Sequence, residues 1–309
     1  MNPVSAGDIG DVNSDYRVQI AEDVKQGVPC RGKYHPSYSL NHWIVVGGTM
    51  DNGRRYPVIL DTGSSAALFV SDVHITENNL AIHPFTSADG QANGWGMCHI
   101  PKLNIGQMTL ANWPCFYREQ HAEVRLFGVP IAVDKAIIAG LPVLKRFKYV
   151  AFDSVKEEVE FSLEKTFEPN MPDLWAKYSF TIEEDLGGNA FLFVKIPVAG
   201  EETELQLDTG SGRGLAISEE MWEKISKGAP QTKLKPGTDL YPYIGSLPCR
   251  QGTIRNLEVG GRTVKNAMIS VFADDSPLLA QGQGLLGMQY FRDTVIVLDF
   301  DRNLMWVAQ

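Results

Sequence analysis

Short apolar runs alternate along this chain with turn residues, at intervals too brief for helices. Trp43-Ile44-Val45-Val46, Val58-Ile59-Leu60, Phe191-Leu192-Phe193-Val194-Lys195-Ile196 and Thr294-Val295-Ile296-Val297-Leu298 are β-branched or aromatic and bounded by Gly, Asp or Pro, the pattern of strands. Gly47-Gly48, Asp51-Asn52-Gly53, Gly187-Gly188 and Gly260-Gly261 predict hairpin turns between them. Helix is sparse. Its clearest stretch runs from Ser218 to Ile225, with Ser218 as N-cap and Glu219 and Glu220 in the first turn. The pattern predicts an all-β protein.

The strand pattern also repeats. A shift of 147 residues carries Asp61 onto Asp208, Ser71 onto Ser218 and Gly140 onto Gly287. Between these points Leu103-Asn104-Ile105-Gly106 matches Leu257-Glu258-Val259-Gly260, and Asn112 falls on Asn266, with a shift of 154. Seven residues are therefore inserted earlier in the second half, and a longer loop from Arg118 to Asp134 offsets them in the first. The halves close alike, on Tyr149-Val150-Ala151-Phe152-Asp153 and Val297-Leu298-Asp299-Phe300-Asp301. The repeat divides the chain into an N-terminal extension (1–38) with no counterpart in the second half, a first lobe (39–165), a linker (166–178) containing Pro169 and Pro172, and a second lobe (179–309).

Each half delivers an apolar strand into Asp-Thr-Gly-Ser: Asp61-Thr62-Gly63-Ser64 and Asp208-Thr209-Gly210-Ser211. One such tripeptide reads equally well as a hairpin end, because Asp and Gly punctuate turns. Two copies do not, since Gly140 follows Asp61 by 79 residues and Gly287 follows Asp208 by the same 79. Two carboxylates held about 3 Å apart cannot both ionise, so they share a proton and titrate as a unit. One is then a base for a water molecule and the other an acid for a carbonyl. Gly63 and Gly210 let the backbone approach the carboxylates without a Cβ in the way. The Thr62 and Thr209 hydroxyls can cross-link the two loops, and those of Ser64 and Ser211 can hold the outer carboxylate oxygens.

Composition narrows the alternatives. The 309 residues carry a formal charge of −9 with no Lys/Arg run, which argues against nucleic acid and anionic membranes as partners. No apolar stretch reaches the length of a membrane helix. The six histidines are scattered, with no metal-ligand spacing, so neither a metal nor another cofactor is expected. Gly282-Gln283-Gly284-Leu285-Leu286-Gly287 matches a dinucleotide fingerprint in form only, because no βαβ unit surrounds it. No GxSxG or neighbouring histidine makes Ser64, Ser65 or Ser211 a nucleophile. Cys98 and Cys115 can bridge in an oxidising compartment or remain buried thiols. The polar N-terminus leaves the compartment open: cytoplasmic if Met1 is native, periplasmic or secreted if a signal was removed.

Asp-Thr-Gly-Ser followed by an apolar-apolar-Gly element, twice over, resembles the aspartic peptidase family across about 250 residues. The second half, through Gly284-Leu285-Leu286-Gly287-Met288, is similar to a bacterial retropepsin-like domain; the bilobal arrangement resembles the pepsins, but lobes this short look more like two retropepsin-type units fused in one chain. The resemblance implies an all-β, bilobal, pseudo-two-fold pepsin-like fold with a cleft between β-barrel-like lobes. It implies an endopeptidase acting on peptide or protein substrate, with Asp61 and Asp208 as the catalytic pair. Because both stand in one polypeptide, the expected active form is a monomer. It also implies a flap, for which Trp95 and, in the second lobe, Tyr243 are the covering aromatics. The family's usual Tyr-Gly flap signature is missing after Asp61, and both aromatics read as readily as surface hairpin residues. A bilobal protein that binds in its cleft without cleaving, and a zymogen masked by residues 1–38, are the competing expectations.

Overall fold

A computed structural model describes residues 16–20, 29–34, 43–86, 92–119, 123–126, 129–133, 135–185, 189–228, 232–241, 245–279, 282 and 284–309. Strand dominates, as the alternation predicts, and the sheets divide as the repeat does. In the first half, strands Met108–Arg118, Leu68–Ser71, Ile137–Gly140, Arg55–Asp61, Val45–Met50 and Ala92–Ile105 lie side by side, and the last pairs back onto the first. In the second half, Gly245–Val259, Arg262–Phe272, Leu215–Ser218, Gly284–Gly287, Glu201–Asp208 and Ala190–Val198 form the matching ring, closed through Val198 and Val259. Closure removes the free edges of each sheet.

The equal 79-residue spacing has a direct structural meaning. Ile137–Gly140 runs parallel to Arg55–Asp61 with Gly140 opposite Asp61, and Gly284–Gly287 runs parallel to Glu201–Asp208 with Gly287 opposite Asp208. The repeat also keeps its irregularities. Asn112 and Asn266 both have positive φ (57° and 52°), where each long hairpin skips a register position, and Gly106 and Gly260 turn those hairpins at φ 57° and 56°. A left-handed residue tolerates Asn or Gly best.

Between the barrels lies a shared antiparallel sheet. Its order is Cys30–Lys33, Glu158–Ser162, Tyr149–Asp153, Val295–Asp299, Leu304–Ala308 and the Trp175–Ser179 part of Trp175–Glu184. Its centre is the pairing of Ala151 with Val297. One face, with Val150, Phe152, Ile296, Leu298, Met305 and Val307, belongs to the main core. The other carries Tyr149, Val297 and Trp306 beneath Phe167, whose ring meets Trp175, Tyr149 and Trp306 at 5.2–5.7 Å.

Two expectations change. Gly47 and Gly48 lie inside the Val45–Met50 strand, not in a turn; a Cβ on Gly48 would stand 2.4 Å from Val58 Cγ2, so the glycine serves strand packing. The turn expected at Asp51-Asn52-Gly53 is present. Gly187-Gly188 is outside the described residues. Within the segment read as an extension, one strand has a counterpart: Cys30–Lys33 flanks Glu158–Ser162 as Trp175–Ser179 flanks Leu304–Ala308; Arg17–Ile20 pairs with Met108–Arg118. Cys98 and Cys115 are register partners and buried free thiols, with Sγ atoms 2.8 Å apart. Their mutual contact, then burial, holds the Cys115 thiol well above the ordinary range. The helix stands where the cap predicts, Glu219–Ile225, with Ser218 Oγ accepting from Met221 N at 3.1 Å.

Equivalent aspartates close the two central hairpins of the shared sheet. Asp153 Oδ1 accepts from Val155 N and Lys156 N at 3.1 and 2.8 Å. Asp299, fully buried, accepts from Arg302 N and Nε at 3.2 and 2.7 Å. Asp299→Ala should lower the unfolding free energy by about 2 kcal/mol, because charge-assisted bonds are lost from a dry site. Asp153→Ala, in a wetter turn, should cost about 1 kcal/mol. Urea denaturation of the two variants checks the order.

Candidate active site

The strands Arg55–Asp61 and Glu201–Asp208 end on their aspartates at the same place between the barrels. Alternation sends Val58 and Leu60 into the main core and Ile59 and Asp61 to the opposite face; Leu205, Leu207 and Asp208 follow the same rule. Each following loop is stapled by its glycine strand. Gly140 N and Leu141 N donate to Ala67 O and Ser64 O, both at 3.0 Å; Gly287 N and Met288 N donate to Gly214 O and Ser211 O, both at 2.8 Å. A Cβ on Gly140 would fall 2.0 Å from Ala66 O, and one on Gly287 2.3 Å from Arg213 O. The apolar-apolar-Gly element is thus the floor over which each aspartate loop passes.

The two loops then lock together. Thr62 Oγ1 donates to Leu207 O at 2.6 Å and accepts from Thr209 N at 3.1 Å. Thr209 Oγ1 donates to Leu60 O at 2.6 Å and accepts from Thr62 N at 3.0 Å. Both threonines are fully buried. The glycines interlock in the same crossed sense: a Cβ on Gly63 would lie 2.8 Å from Asp208 Cγ, and one on Gly210 2.4 Å from Asp61 Cγ. Each loop's glycine is therefore the seat of the other loop's carboxyl.

Around the carboxyls the symmetry is incomplete. Gly63 N donates to Asp61 Oδ1 at 2.8 Å, and the backbone N–H groups of Ser64 and Gly210 also favour its ionised form. Asp208 is favoured by those of Gly210 and Ser211, and its Oδ1 is buried without a hydrogen-bond partner among the described residues. Burial pushes both carboxyls up from 3.8. Asp208 is pushed well above it by burial and by the charge of Asp61, whereas a hydrogen bond from Asp208 pulls Asp61 back. The two carboxyls therefore hold one proton between them, with Asp208 the more strongly raised.

The serine hydroxyls do not hold the carboxylates. Ser64 Oγ points to Ala66 O at 3.5 Å, and Ser211 Oγ accepts from Arg213 N at 3.3 Å. The sharp Gly turn brings their backbone N–H groups to the acids instead.

Trp95 lies half-buried in Ala92–Ile105, edge-on to Phe69 at 5.9 Å and beneath the Arg118 guanidinium at 5.3 Å. It packs with Val45, Ile59, Phe69 and Ile138, the apolar patch on the sheet face that bears Asp61. Tyr243 lies outside the described residues. The matching patch of the second half contains Tyr241, Phe272, Ala216 and Leu285. Motif matching does not single out two charged residues there. Arg213, five positions after Asp208, forms an ion pair at 2.7 Å with Asp239 on Lys235–Tyr241. The available signal was the mismatch within the repeat, where Arg213 stands opposite Ala66.

Among solved structures, the chain is similar to EDGP, with a TM-score of 0.53 at 8% identity over 91% of this chain and 94% of that one. It is also similar to conglutin gamma, a basic 7S globulin from lupine seeds, at 12% identity over 91% and 94% with a TM-score of 0.48. An aspartic proteinase from Irpex lacteus matches at 11% identity over 92% and 96% with a TM-score of 0.49. No protein-family model and no curated protein matches the sequence. At such identities the likeness speaks for the fold alone, and the fold is pepsin-like, all-β and bilobal.

Two consequences are measurable without any substrate. Thr62→Val keeps the shape of the side chain but leaves Leu207 O and Thr209 N unpaired in a dry site, which should cost about 3 kcal/mol. Thr209→Val should cost the same, and Thr62→Ser far less, in urea denaturation. The raised Asp208 carboxyl binds its proton more tightly when folded, so stability falls as pH rises above the unfolded value near 3.8. Asp208→Asn should therefore raise the melting temperature at about pH 7 and leave it unchanged at about pH 3.

Proposed function

We propose that the chain is an aspartic endopeptidase acting through Asp61 and Asp208. The observation that carries this reading is the crossed packing of two carboxyls, each seated on the other loop's glycine, with one raised well above the ordinary range. Asp61, whose ionised form is favoured by three backbone N–H groups against the upward push of burial, is the base. It takes a proton from a water whose oxygen attacks the scissile carbonyl carbon, while Asp208 gives its proton to the carbonyl oxygen. The resulting gem-diol collapses as the amide nitrogen takes the proton from Asp61, the C–N bond breaks, and a diol hydroxyl returns a proton to Asp208. One water is consumed, and both carboxyls regain their starting states. Trp95, with Phe69 and Ile59, supplies apolar surface beside Asp61 for a substrate side chain.

Purified protein should cleave a mixed peptide library internally, as read by mass spectrometry between about pH 3 and about pH 8. Asp61→Asn and Asp208→Asn should each cut the rate by about a thousandfold or more, with circular dichroism unchanged. The rate should be bell-shaped and peak below neutrality. Its acid limb reports protonation of Asp61, which removes the base, and its alkaline limb loss of the Asp208 proton, which removes the acid. A rate still climbing at about pH 9, or a variant that kept its turnover, would sink the dyad. Peptides bound but never cut would identify a binding protein instead.

A further inference from the structure

The two aspartate loops are related residue by residue, yet the position five after the aspartate is Ala66 in one and Arg213 in the other. Arg213 brings a charge to one side only of an otherwise symmetric floor. The chain fixes that side chain in place. Its Nη2 meets Asp239 Oδ1 at 2.7 Å, and Asp239 is fully buried while the Arg213 side chain is 41% exposed. Asp239 needs nothing more, since Gln251 Nε2 donates to its Oδ1 at 2.6 Å and the Ser270 hydroxyl donates to its Oδ2. The carboxylate is thus an anchor, saturated from beneath, and the guanidinium faces outward with its other N–H groups unclaimed among the described residues.

A second donor waits nearby. Tyr241, on the same strand as Asp239, is 93% buried, and its hydroxyl has no hydrogen-bond partner among the described residues. Its ring belongs to the apolar cluster of Ala216 and Leu285, and the Leu285 strand lies next to the one that ends on Asp208; burial, then the charges of Asp239 and Asp208, push the hydroxyl up. A buried hydroxyl without an acceptor is costly, and a buried carboxylate spent only on orienting one half-exposed arginine is a poor source of stability. Both features are accounted for if an anion completes the cluster.

Resting on the endopeptidase reading above, we propose that Arg213, oriented by Asp239 and assisted by Tyr241, is a specificity-determining residue that selects an acidic side chain of the peptide. The selection applies at one position close to the scissile bond, on the second-lobe side. Arg213 touches the substrate without taking part in the proton transfers. The first lobe, with Ala66 in the equivalent place, imposes no such demand.

The test uses peptide pairs carrying Glu or Gln at each position around bonds cleaved in the library, assayed at about pH 5.5 where Glu is ionised. The wild-type protein should show a kcat/KM ratio favouring Glu about tenfold at one position and near unity elsewhere. Because Arg213→Met alone strands a buried Asp239, the informative variant is Arg213→Met with Asp239→Asn, which should fold, still cleave, and lose the preference. Arg213→Lys should keep part of it. Affinities of the same labelled peptides for Asp208→Asn protein, by fluorescence anisotropy, give a readout independent of turnover and should show the same Glu preference. Cleavage with no preference for Glu at any position, or a preference that survives the double variant, overturns the inference. Absent cleavage with a Glu preference in binding overturns the endopeptidase reading alone. Absent peptide binding, or binding indifferent to Glu, overturns the inference whatever the catalytic result.

Discussion

Everything in the cleft depends on four hydrogen bonds between two threonines and the opposite loops. Each hydroxyl donates across the interface to a carbonyl and accepts an N–H in return, so no polar group at the junction is left over. In a fully buried place this reciprocity matters more than the strength of any single bond, because an unpaired group there costs more than a paired one contributes. With the loops locked, the glycines can bring the carboxyls into a contact that two independent lobes would relieve by drifting apart. The burial of the acids is borne by a neutral, saturated clasp.

The sequence carried this much because chain distance encodes register. Asp61 and Gly140, like Asp208 and Gly287, are hydrogen-bonded neighbours in parallel strands, and a parallel crossover of fixed length leaves a fixed spacing in the chain. Asn112 and Asn266, or Gly106 and Gly260, were legible for a related reason, since positive φ restricts residue type. What sequence matching could not see was pairing made by backbone alone. Cys30–Lys33 and Trp175–Ser179 hold equivalent places in the shared sheet without a residue in common. The Ser64 and Ser211 hydroxyls escaped because rotamers, not residue types, decide where they point. Gly47-Gly48 misled because a glycine that admits Val58 and one that makes a turn look alike in a sequence.

Departures from the repeat proved as informative as the repeat itself. Where the halves agree, the residues either serve the junction or hold the backbone of a matching hairpin. Where they differ, as at Ala66 and Arg213, the constraint is absent and the chain is free to build something one-sided. Trp95 in one half and Tyr241 in the other show the same divergence on the sheet faces that flank the acids.

The shared sheet sets the mechanical character of the molecule. Tyr149–Asp153 and Val295–Asp299 pair across its centre, and sliding one past the other by a single residue would turn every side chain to the wrong face. Translation between the lobes is therefore closed off, and what remains soft is the twist of the sheet about its centre. A small change of twist displaces points far from the axis by much more than points upon it. The mouth of the cleft can accordingly widen while the threonines and carboxyls on the axis scarcely move, giving a compliant entrance above a stiff floor.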